Sequence, residues 1–167
     1  MPHAIHTIAF YPGSFDPLTN GHLNIIQRAL RVFDQVVVAM AQNVNKRAMF
    51  TLEERRELVQ TCFADEPRVS VVIFEGLMVE AARAHHATAV LRGLRGVADF
   101  ETEFQMATMN NVLAPSLETV FMMTEKSHFF VSSHLVREVA SLGGDISPLV
   151  PDAVNQALLH RMVRKPS

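Results

Sequence analysis

Residues 11–22, Tyr-Pro-Gly-Ser-Phe-Asp-Pro-Leu-Thr-Asn-Gly-His, combine the residue types of an anion-binding site. An apolar run precedes this segment, and helical periodicity begins where it ends. Backbone N–H groups at the start of a helix lack partners within the helix, and the helix dipole favours negative charge there. Gly21 has no Cβ, so a phosphate can approach the backbone closely. The pattern predicts a ligand phosphate held beside the imidazole of His22.

His22 has a competing structural interpretation, because it opens the apolar stripe of the helix that follows. A lone histidine in that position would favour the core. Side chains in helices lean toward the helix N-terminus, which aims this imidazole back over the turn. After a glycine turn we therefore favour a histidine that faces a ligand. The sequence contains neither the dinucleotide fingerprint Gly-x-Gly-x-x-Gly after the first apolar run nor a Gly-Lys-Ser/Thr closure of the turn.

Cationic residues follow two later apolar runs. The motif Arg92-Gly-Leu-Arg95-Gly places two arginines three residues apart among glycines. A guanidinium suits phosphate because its planar fork donates two hydrogen bonds at once. We favour this over the alternative of a basic surface turn. Lys46 lies in the loop after the second run, and by itself such a lysine is better interpreted as solvated.

The predicted helix Val97–Leu113 carries two distinct faces. One face is apolar and is predicted to join the core: Phe100, Phe104, Ala107 and Asn111. The other mixes a carboxylate, two thioethers and an amide: Glu103, Met106, Met109 and Asn110. Methionines line adaptable apolar slots, and polar groups between them can orient a ligand. From spacing alone, core packing with an exposed edge is the favoured interpretation of this second face.

Residues 128–137, His-Phe-Phe-Val-Ser-Ser-His-Leu-Val-Arg, follow the fifth apolar run and enter a helix. Ser132 and Ser133 can cap that helix, or they can donate hydroxyl hydrogens to a polyphosphate. None of the eight histidines has the paired spacing of a zinc site, and no Ser/His/Asp or Cys/His signature is present. We predict no metal bound by the protein's own ligands.

The elements that must position these groups alternate along the chain. Five short apolar runs predict buried strands at residues 7–11, 35–40, 69–74, 88–91 and 118–123. Helical patterns separate them, and residues 133–142 and 151–162 predict two C-terminal helices. We expect a doubly wound α/β fold with a five-stranded parallel sheet. Ligands bind beyond the carboxyl ends of such strands, and four of the five loops at those ends carry cationic or hydroxyl groups.

Composition restricts the class of protein. The chain has 167 residues, of which 19% are charged and 49% apolar, which suits one globular domain. Its formal net charge of −2 argues against a general nucleic-acid surface. The single cysteine, Cys62, cannot form an internal disulfide and fits a reducing compartment. No apolar run is long enough to span a bilayer, so we expect a cytoplasmic protein without membrane attachment.

Taken together, these motifs resemble the phosphopantetheine adenylyltransferases of coenzyme A biosynthesis over nearly the whole chain. The resemblance rests on residues 11–22, on Phe-Thr-Leu-Glu-Glu-Arg at 50–55, on Arg92-Gly-Leu-Arg95, on Ala-Asp-Phe-Glu at 98–101 and on Val-Ser-Ser at 131–133. The Thr-x-Gly-His element is similar to the HIGH-type signature of the wider, Rossmann-like nucleotidyltransferase superfamily.

The resemblance implies transfer of the adenylyl group of ATP to 4′-phosphopantetheine, giving dephospho-coenzyme A and pyrophosphate, with Mg²⁺. It also implies a homohexamer and coenzyme A as a feedback ligand. Two alternatives are less favoured. One is a related nucleotidyltransferase that acts on nicotinamide mononucleotide or on a sugar or alcohol phosphate. The other is a nucleotide-binding sensor domain without catalysis.

The resemblance also implies site residues. Ser14 and Lys46 would hold the phosphate of phosphopantetheine, with Arg92 alongside. The pantetheine arm would be lined by Leu77, Met78, Met106, Met109 and Asn110. ATP would be bound by Ser14, Phe15, His22, Gly93, Leu94, Arg95, Glu103, His128, Phe129, Phe130, Val131, Ser132, Ser133 and His134. Position 134 is more often serine or threonine in the family, so the role of this histidine is open.

The chemistry of these substrates predicts a mechanism without a general base. A phosphate monoester has a second pKa of about 6, so the attacking oxygen is already anionic near neutral pH. Catalysis then rests on in-line positioning and on stabilising the charge that grows on the α-phosphate. We expect His22 to donate to the α-phosphate and Lys46 to neutralise the incoming phosphate. Arg95, with the Ser132 region, would hold the departing pyrophosphate.

Overall fold

A computed structural model describes residues 6–42 and 48–163 of the chain. These residues form strands and helices in strict alternation, followed by two consecutive helices. The elements are β1 Ile8–Pro12, α1 Asn20–Ala29, β2 Gln35–Ala41, α2 Leu52–Cys62, β3 Val69–Phe74, α3 Met78–Ala84, β4 Ala89–Leu94, α4 Val97–Leu113, β5 Glu118–Met123, α5 Ser133–Ser141 and α6 Asp152–Val163. The predicted five-stranded α/β fold with C-terminal helices is confirmed.

The sheet has the strand order β3-β2-β1-β4-β5, and every pairing is parallel. The order reverses at β1, because the chain continues to β2 on one side and later to β4 on the other. Loops that leave β1 and β4 therefore diverge and open a crevice at the carboxyl edge of the sheet. Two apolar cores lie on the two faces, one containing Ile25, Val36 and Val154, the other Phe10, Val37 and Val79.

Strand β4 is longer than the apolar run that predicts it. Arg92, Gly93 and Leu94 belong to the strand and not to the loop after it. The reason is backbone pairing with β5, in which Arg92 lies opposite Phe121 and Leu94 lies opposite Met123. Ladder hydrogen bonds from a neighbouring strand outweigh the weak strand preference of arginine and glycine. Arg92 consequently starts from a rigid strand, whereas Arg95 lies just beyond it.

The predicted core face of α4 is wrong. Phe100 is 45% exposed and Phe104 is 56% exposed. The Phe100 ring touches Phe121 of β5 at a centroid distance of 5.9 Å, but only along one edge. The spacing identifies an apolar stripe, and stripes of this kind normally face the core. Here no element within residues 6–42 and 48–163 covers the stripe, so it lies on the surface.

Helix ends follow the local signals of the sequence. Thr51 and Glu54 form a capping box at the start of α2, with Thr51 N–H donating to Glu54 Oε2 at 2.7 Å. The α5 helix stops before Gly143, whose φ of +78° is the left-handed conformation expected at that position. None of the helices in the described part of the chain combines the length and apolarity needed to cross a membrane.

Candidate active site

The first turn of α1 determines the protonation of His22. Thr19 is the N-cap, and its backbone N–H donates to His22 Nδ1 at 3.1 Å while its hydroxyl oxygen accepts from the His22 backbone N–H. Because a backbone N–H donates to Nδ1, the proton of the neutral ring lies on Nε2. The part of the His22 ring that stays exposed lines a cavity and presents the Nε2–H donor to it. The lone pair of Nδ1 is already used, because it accepts from the Thr19 N–H.

The charge state of His22 follows from its surroundings. Burial, with the nearby positive charge of Arg95, lowers the pKa of His22 from its ordinary 6.5 to about 4. The ring is therefore neutral at physiological pH. A neutral Nε2–H next to an arginine suits stabilisation of growing negative charge, and the engaged Nδ1 argues against a role as general base.

The ring of Phe15 packs against the ring of His22. The Phe15 backbone has a φ of +45°, which is costly for a bulky residue and recurs at functional turns. The buried ring packs edge-on against His22 at a centroid distance of 5.1 Å. A Cβ at Gly13 would lie 2.8 Å from this ring, so position 13 must remain glycine if the ring is to keep its place. Since the Phe15 side chain faces the core, any contact with ATP would come from its backbone.

The two predicted arginines are already held by carboxylates. Arg92 donates from Nε and Nη2 to the two oxygens of Glu103 at 2.6 Å each, and from Nη1 to the carbonyl of Pro12 at 3.1 Å. Arg95 donates to Asp99 at 3.1 Å. Bidentate pairing orients the Arg92 guanidinium. Glu103, predicted to bind ATP, thus contacts Arg92 in this structure, and its contact with ATP stays a prediction.

Cavity A, of about 500 Å³, opens over the N-terminus of α1 and the carboxyl end of β4. Most of the predicted ATP residues line it, namely Ser14, His22, Gly93, Arg95, Glu103, Val131, Ser132, Ser133 and His134. The remaining predicted ATP residues lie outside its walls, namely Phe15, Leu94, His128, Phe129 and Phe130. Cavity A therefore joins an imidazole, two guanidinium groups and a helix N-terminus, which is a suitable environment for a polyphosphate.

Cavity B, of about 850 Å³, adjoins cavity A on the other side of the turn after β1. Every described residue predicted to hold the acceptor lines it, namely Ser14, Leu77, Met78, Arg92, Met106, Met109 and Asn110. Lys46, predicted to hold the same phosphate, lies outside the described residues. Asn110 is only 7% exposed and lines the cavity. The cavity combines apolar side chains, such as Met106 and Met109, with the Asn110 amide and with three guanidinium groups, those of Arg55, Arg92 and Arg137.

The two cavities share part of their lining at the carboxyl ends of β1 and β4. Ser14 and Arg92 belong to both. Ligands bound in the two cavities would therefore meet at this hydroxyl and this guanidinium. The favoured interpretation of the second α4 face is core packing with an exposed edge, and the structure shows Met106 and Met109 more than half exposed and Asn110 buried. All three residues line cavity B.

The residues at the start of α5 form part of the wall of cavity A. The Ser132 oxygen accepts from the Leu135 N–H at 3.1 Å, so its capping role is confirmed. The Ser133 hydroxyl donates to the carbonyl of Pro17 at 2.8 Å and ties α5 to the turn after β1. Both serines nevertheless line cavity A. A capping role and a ligand contact are compatible for Ser132, because a hydroxyl that accepts one hydrogen bond can still donate its own hydrogen.

Sequence reasoning missed Arg137, which lines both cavities. This arginine donates to the carbonyl of Asp16 and lies 3.7 Å from the Asp16 carboxylate. Helical spacing could have identified it, since Arg137 lies four residues after Ser133 and thus on the same face of α5. It adds a second guanidinium, after that of Arg92, to the shared lining of the two cavities and a third to cavity A.

The described residues do not fit a magnesium ion held by the protein. No group of three or more His, Cys, Asp or Glu side chains in residues 6–42 and 48–163 could hold a metal ion. Protein-bound Mg²⁺ usually takes one or two carboxylates with ligand phosphates and water. The two carboxylates beside cavity A, Asp99 and Glu103, pair with Arg95 and Arg92. No step of the chemistry is assigned to a metal ion.

Known proteins match the chain over most of its length. The cytidylyltransferase-like family model matches residues 10–139. A phosphopantetheine adenylyltransferase from Anaeromyxobacter sp. (strain K) is 55% identical over 158 residues, which cover 95% of this chain and 96% of the relative. One from Moorella thermoacetica is 54% identical over 154 residues, covering 92% and 96%. One from Geobacter sulfurreducens is 52% identical over 151 residues, covering 90% and 92%.

A solved structure agrees at the level of the fold. It belongs to a Vibrio parahaemolyticus protein provisionally named nicotinate-nucleotide adenylyltransferase, with a TM-score of 0.67 over 97% of this chain and 98% of the other. Its 18% identity makes this a likeness of fold alone. Sequence identity above one half over nearly the full length, together with the family model, identifies the chain as a member of the cytidylyltransferase-like family and of the phosphopantetheine adenylyltransferase family.

Proposed function

We propose that this protein transfers the adenylyl group of ATP to 4′-phosphopantetheine and releases dephospho-coenzyme A and pyrophosphate. The carrying observation is that cavity A, whose groups suit a polyphosphate, meets cavity B, which has methionines on one wall, at Ser14 and Arg92. An enzyme that joins two phosphates needs both ligands to meet at one point, with charge neutralised there. The names and high identity of the relatives support the same activity.

Cavity B favours phosphopantetheine over a nucleotide acceptor. Phosphopantetheine carries a phosphate at one end and a long, flexible arm that contains amide groups. Two methionines, Met106 and Met109, provide adaptable apolar contacts for such an arm. The Asn110 amide lines the cavity and can exchange hydrogen bonds with an amide of the arm. A flat nicotinamide ring would need aromatic side chains to stack on. Phe74 is the one aromatic residue among the described lining residues of cavity B.

In this mechanism His22 acts by hydrogen bonding. Its Nε2–H donates to an oxygen of the α-phosphate as charge accumulates in the transition state. The acceptor phosphate attacks the α-phosphorus in line, and the bond from that phosphorus to the β-phosphate bridging oxygen breaks, releasing pyrophosphate. No proton leaves the acceptor, because its phosphate is already anionic. Ser14, Arg92 and Lys46 hold the acceptor phosphate, while Arg95 and the start of α5 hold the departing pyrophosphate.

The expected Mg²⁺ enters as part of the ATP complex, since the two carboxylates beside cavity A, Asp99 and Glu103, pair with Arg95 and Arg92. Coenzyme A as a feedback ligand follows from the same acceptor cavity, because coenzyme A contains the pantetheine arm. A cytoplasmic location and the absence of nucleic-acid and membrane partners stay expectations.

Pyrophosphate release tests the proposed activity. The purified chain is incubated with Mg·ATP and either 4′-phosphopantetheine or nicotinamide mononucleotide, and pyrophosphate is measured. We expect release only with phosphopantetheine, together with dephospho-coenzyme A in the product mixture. Release with nicotinamide mononucleotide alone would instead support the related nucleotidyltransferase. ATP binding without release from either acceptor would support the sensor domain.

A homohexamer is the expected assembly, and the exposed apolar face of α4 supports self-association. Val97, Phe100 and Phe104 lie on one side of the helix and are all exposed in the single chain. Contiguous exposed apolar groups of this kind usually mark contacts with another chain.

A further inference from the structure

Tyr11 is the only tyrosine of the chain, and it lies next to the last residue of β1. Its side chain is buried, with 6% of the residue exposed, and its ring packs edge-on against Phe15 at 5.4 Å between centroids. The centroid of the His22 ring lies 6.4 Å away. Tyr11 nevertheless contributes to the walls of cavity A and not to those of cavity B. The side chain thus reaches the cavity from the core side.

The hydroxyl of Tyr11 forms no hydrogen bond with residues 6–42 or 48–163. It is not among the fully buried side-chain atoms that lack a partner in this part of the chain, so it stays accessible from cavity A, which Tyr11 lines. A phenylalanine would place the same ring against Phe15, so packing of the ring does not require the oxygen. The O–H group is thus a donor that a ligand in cavity A can reach.

The position of the hydroxyl places it on the floor of cavity A. A Cβ built at Gly93 would lie 3.5 Å from the Tyr11 oxygen, so the hydroxyl lies beside the backbone of β4. Gly93 stands between Arg92, the neighbouring residue on the strand, and the following Leu94 and Arg95. An anion drawn into the cavity by these arginines would lie within the region that the hydroxyl faces.

The neighbouring carboxylates do not accept a hydrogen bond from the Tyr11 hydroxyl. Both oxygens of Glu103 accept from Arg92, and Asp99 accepts from Arg95. Burial raises the pKa of Tyr11 well above its ordinary value, even though the positive charge of Arg92 opposes this shift. The phenol consequently keeps its proton across the physiological range and can act only as a neutral donor or acceptor.

We propose that the Tyr11 hydroxyl donates a hydrogen bond to a phosphate oxygen of the nucleotide bound in cavity A. The identity of the nucleotide as ATP rests on the proposed function. The contact forms in the ground state, because the hydroxyl is fixed by β1 and by the packing of its ring. Tyr11 is therefore a binding residue that acts beside His22 and the arginines.

The substitution Tyr11→Phe tests this directly, since it removes one oxygen and keeps the ring. Calorimetry on the full chain should give an ATP Kd higher by about 10- to 100-fold, the effect expected for a hydrogen bond to a charged group. The Kd for 4′-phosphopantetheine should stay unchanged, because Tyr11 does not line cavity B. Binding of adenosine, which has no phosphate, should also be unchanged.

Three outcomes would overturn the proposal. They are an unchanged ATP Kd in the folded variant, an equal loss of affinity for ATP and phosphopantetheine, or a matching loss for adenosine. The second would assign Tyr11 a structural role, and the third a contact to the nucleoside. Thermal unfolding of both proteins verifies that the variant is folded. Pyrophosphate release by the unmodified chain separately tests the proposed activity, so either idea can fail without the other.

Discussion

Thr19 and His22 exchange hydrogen bonds across the first turn of α1, and this exchange defines the chemistry of the imidazole. The backbone N–H of Thr19 occupies Nδ1, so only Nε2–H is available to a ligand. In an ordinary capping box, glutamate or glutamine occupies the position that His22 has here. One residue therefore completes the helix start and presents a donor to cavity A.

Replacing His22 by alanine should reduce turnover far more than it weakens binding. The Nε2–H bond strengthens mainly as charge grows on the α-phosphate, so its loss affects the transition state. We expect kcat to fall by about 10²–10³-fold, as for loss of one oxyanion donor, with little change in the ATP Kd. Steady-state kinetics and calorimetry check both values. Unchanged turnover would contradict the assignment.

The lowered pKa of His22 predicts a specific pH dependence. A histidine with a folded pKa of about 4 and an ordinary value of 6.5 binds protons more readily in the unfolded chain. The free energy of unfolding should therefore fall as the pH drops through 6.5 toward 4, and the contribution of His22 to the slope should vanish well above 6.5. Denaturant titrations of the wild type and of His22→Gln isolate this contribution. An NMR titration that gives His22 a pKa near 6.5 would refute it.

At the scale of elements, Asp16 joins the turn after β1 to the segment before α2. Its carboxylate accepts from the backbone N–H groups of Met49 and Phe50, each at 2.9 Å. Arg55 of α2 donates to the carbonyl of Ser14 at 3.0 Å, and Arg137 of α5 donates to the Asp16 carbonyl. Three separate elements thus hold the turn that carries Ser14.

Substitution of Asp16 by asparagine should destabilise the protein. The amide can accept only through its oxygen, so one buried backbone N–H loses its acceptor and the two nearby guanidinium groups lose a counter-charge. We expect the free energy of unfolding in urea to fall by roughly 2–4 kcal/mol. Asp65→Asn, at an exposed position, is the matched control and should change it by less than about 0.5 kcal/mol. Equal stability of both variants would mean that this network contributes little.

At the scale of the whole molecule, helix α4 contributes residues to two different surfaces. Met106, Met109 and Asn110 line cavity B, while Val97, Phe100 and Phe104 are exposed on another side of the same helix. Contact with another copy of the chain on that side would remove this apolar surface from water and would also hold the helix that forms one wall of the cavity. Assembly and acceptor binding are therefore expected to be coupled through α4.

The substitution Phe104→Glu should weaken assembly, because it places a charge in the exposed apolar face. Light scattering of the wild type is expected to give the mass of a hexamer, and the variant a smaller species. Val32→Glu introduces the same charge at another exposed apolar position and should leave the mass unchanged. A monomeric wild type, or equal masses for all three proteins, would contradict a role of α4 in assembly.

Much of the fold and of the candidate site could be predicted from the order of residue types. Alternating apolar runs and helical stripes predict the elements because both periodicities are local properties of the chain. The cap at Thr51 and the stop before Gly143 are equally local. The motifs around His22 and Arg92 identify the family, since their residues lie close together along the sequence. Tyr11 opens the first motif and Arg137 lies one helical turn after Ser133, but the sequence does not show that their side chains line cavity A, because that follows from packing.

The order of residue types along the chain predicts the strands, the helices and the parallel arrangement of the strands. It also predicts the cationic and hydroxyl groups at the carboxyl edge of the sheet. Tertiary structure decided the length of β4, through pairing with β5, and the exposure of Phe100 and Phe104, through the lack of a covering element in the described part of the chain. It also decided the ring tautomer and neutral state of His22 and the meeting of two cavities at Ser14 and Arg92. The physical reason is that propensity and periodicity depend on near neighbours, whereas burial, hydrogen-bond partners and pKa depend on groups brought together from distant parts of the chain.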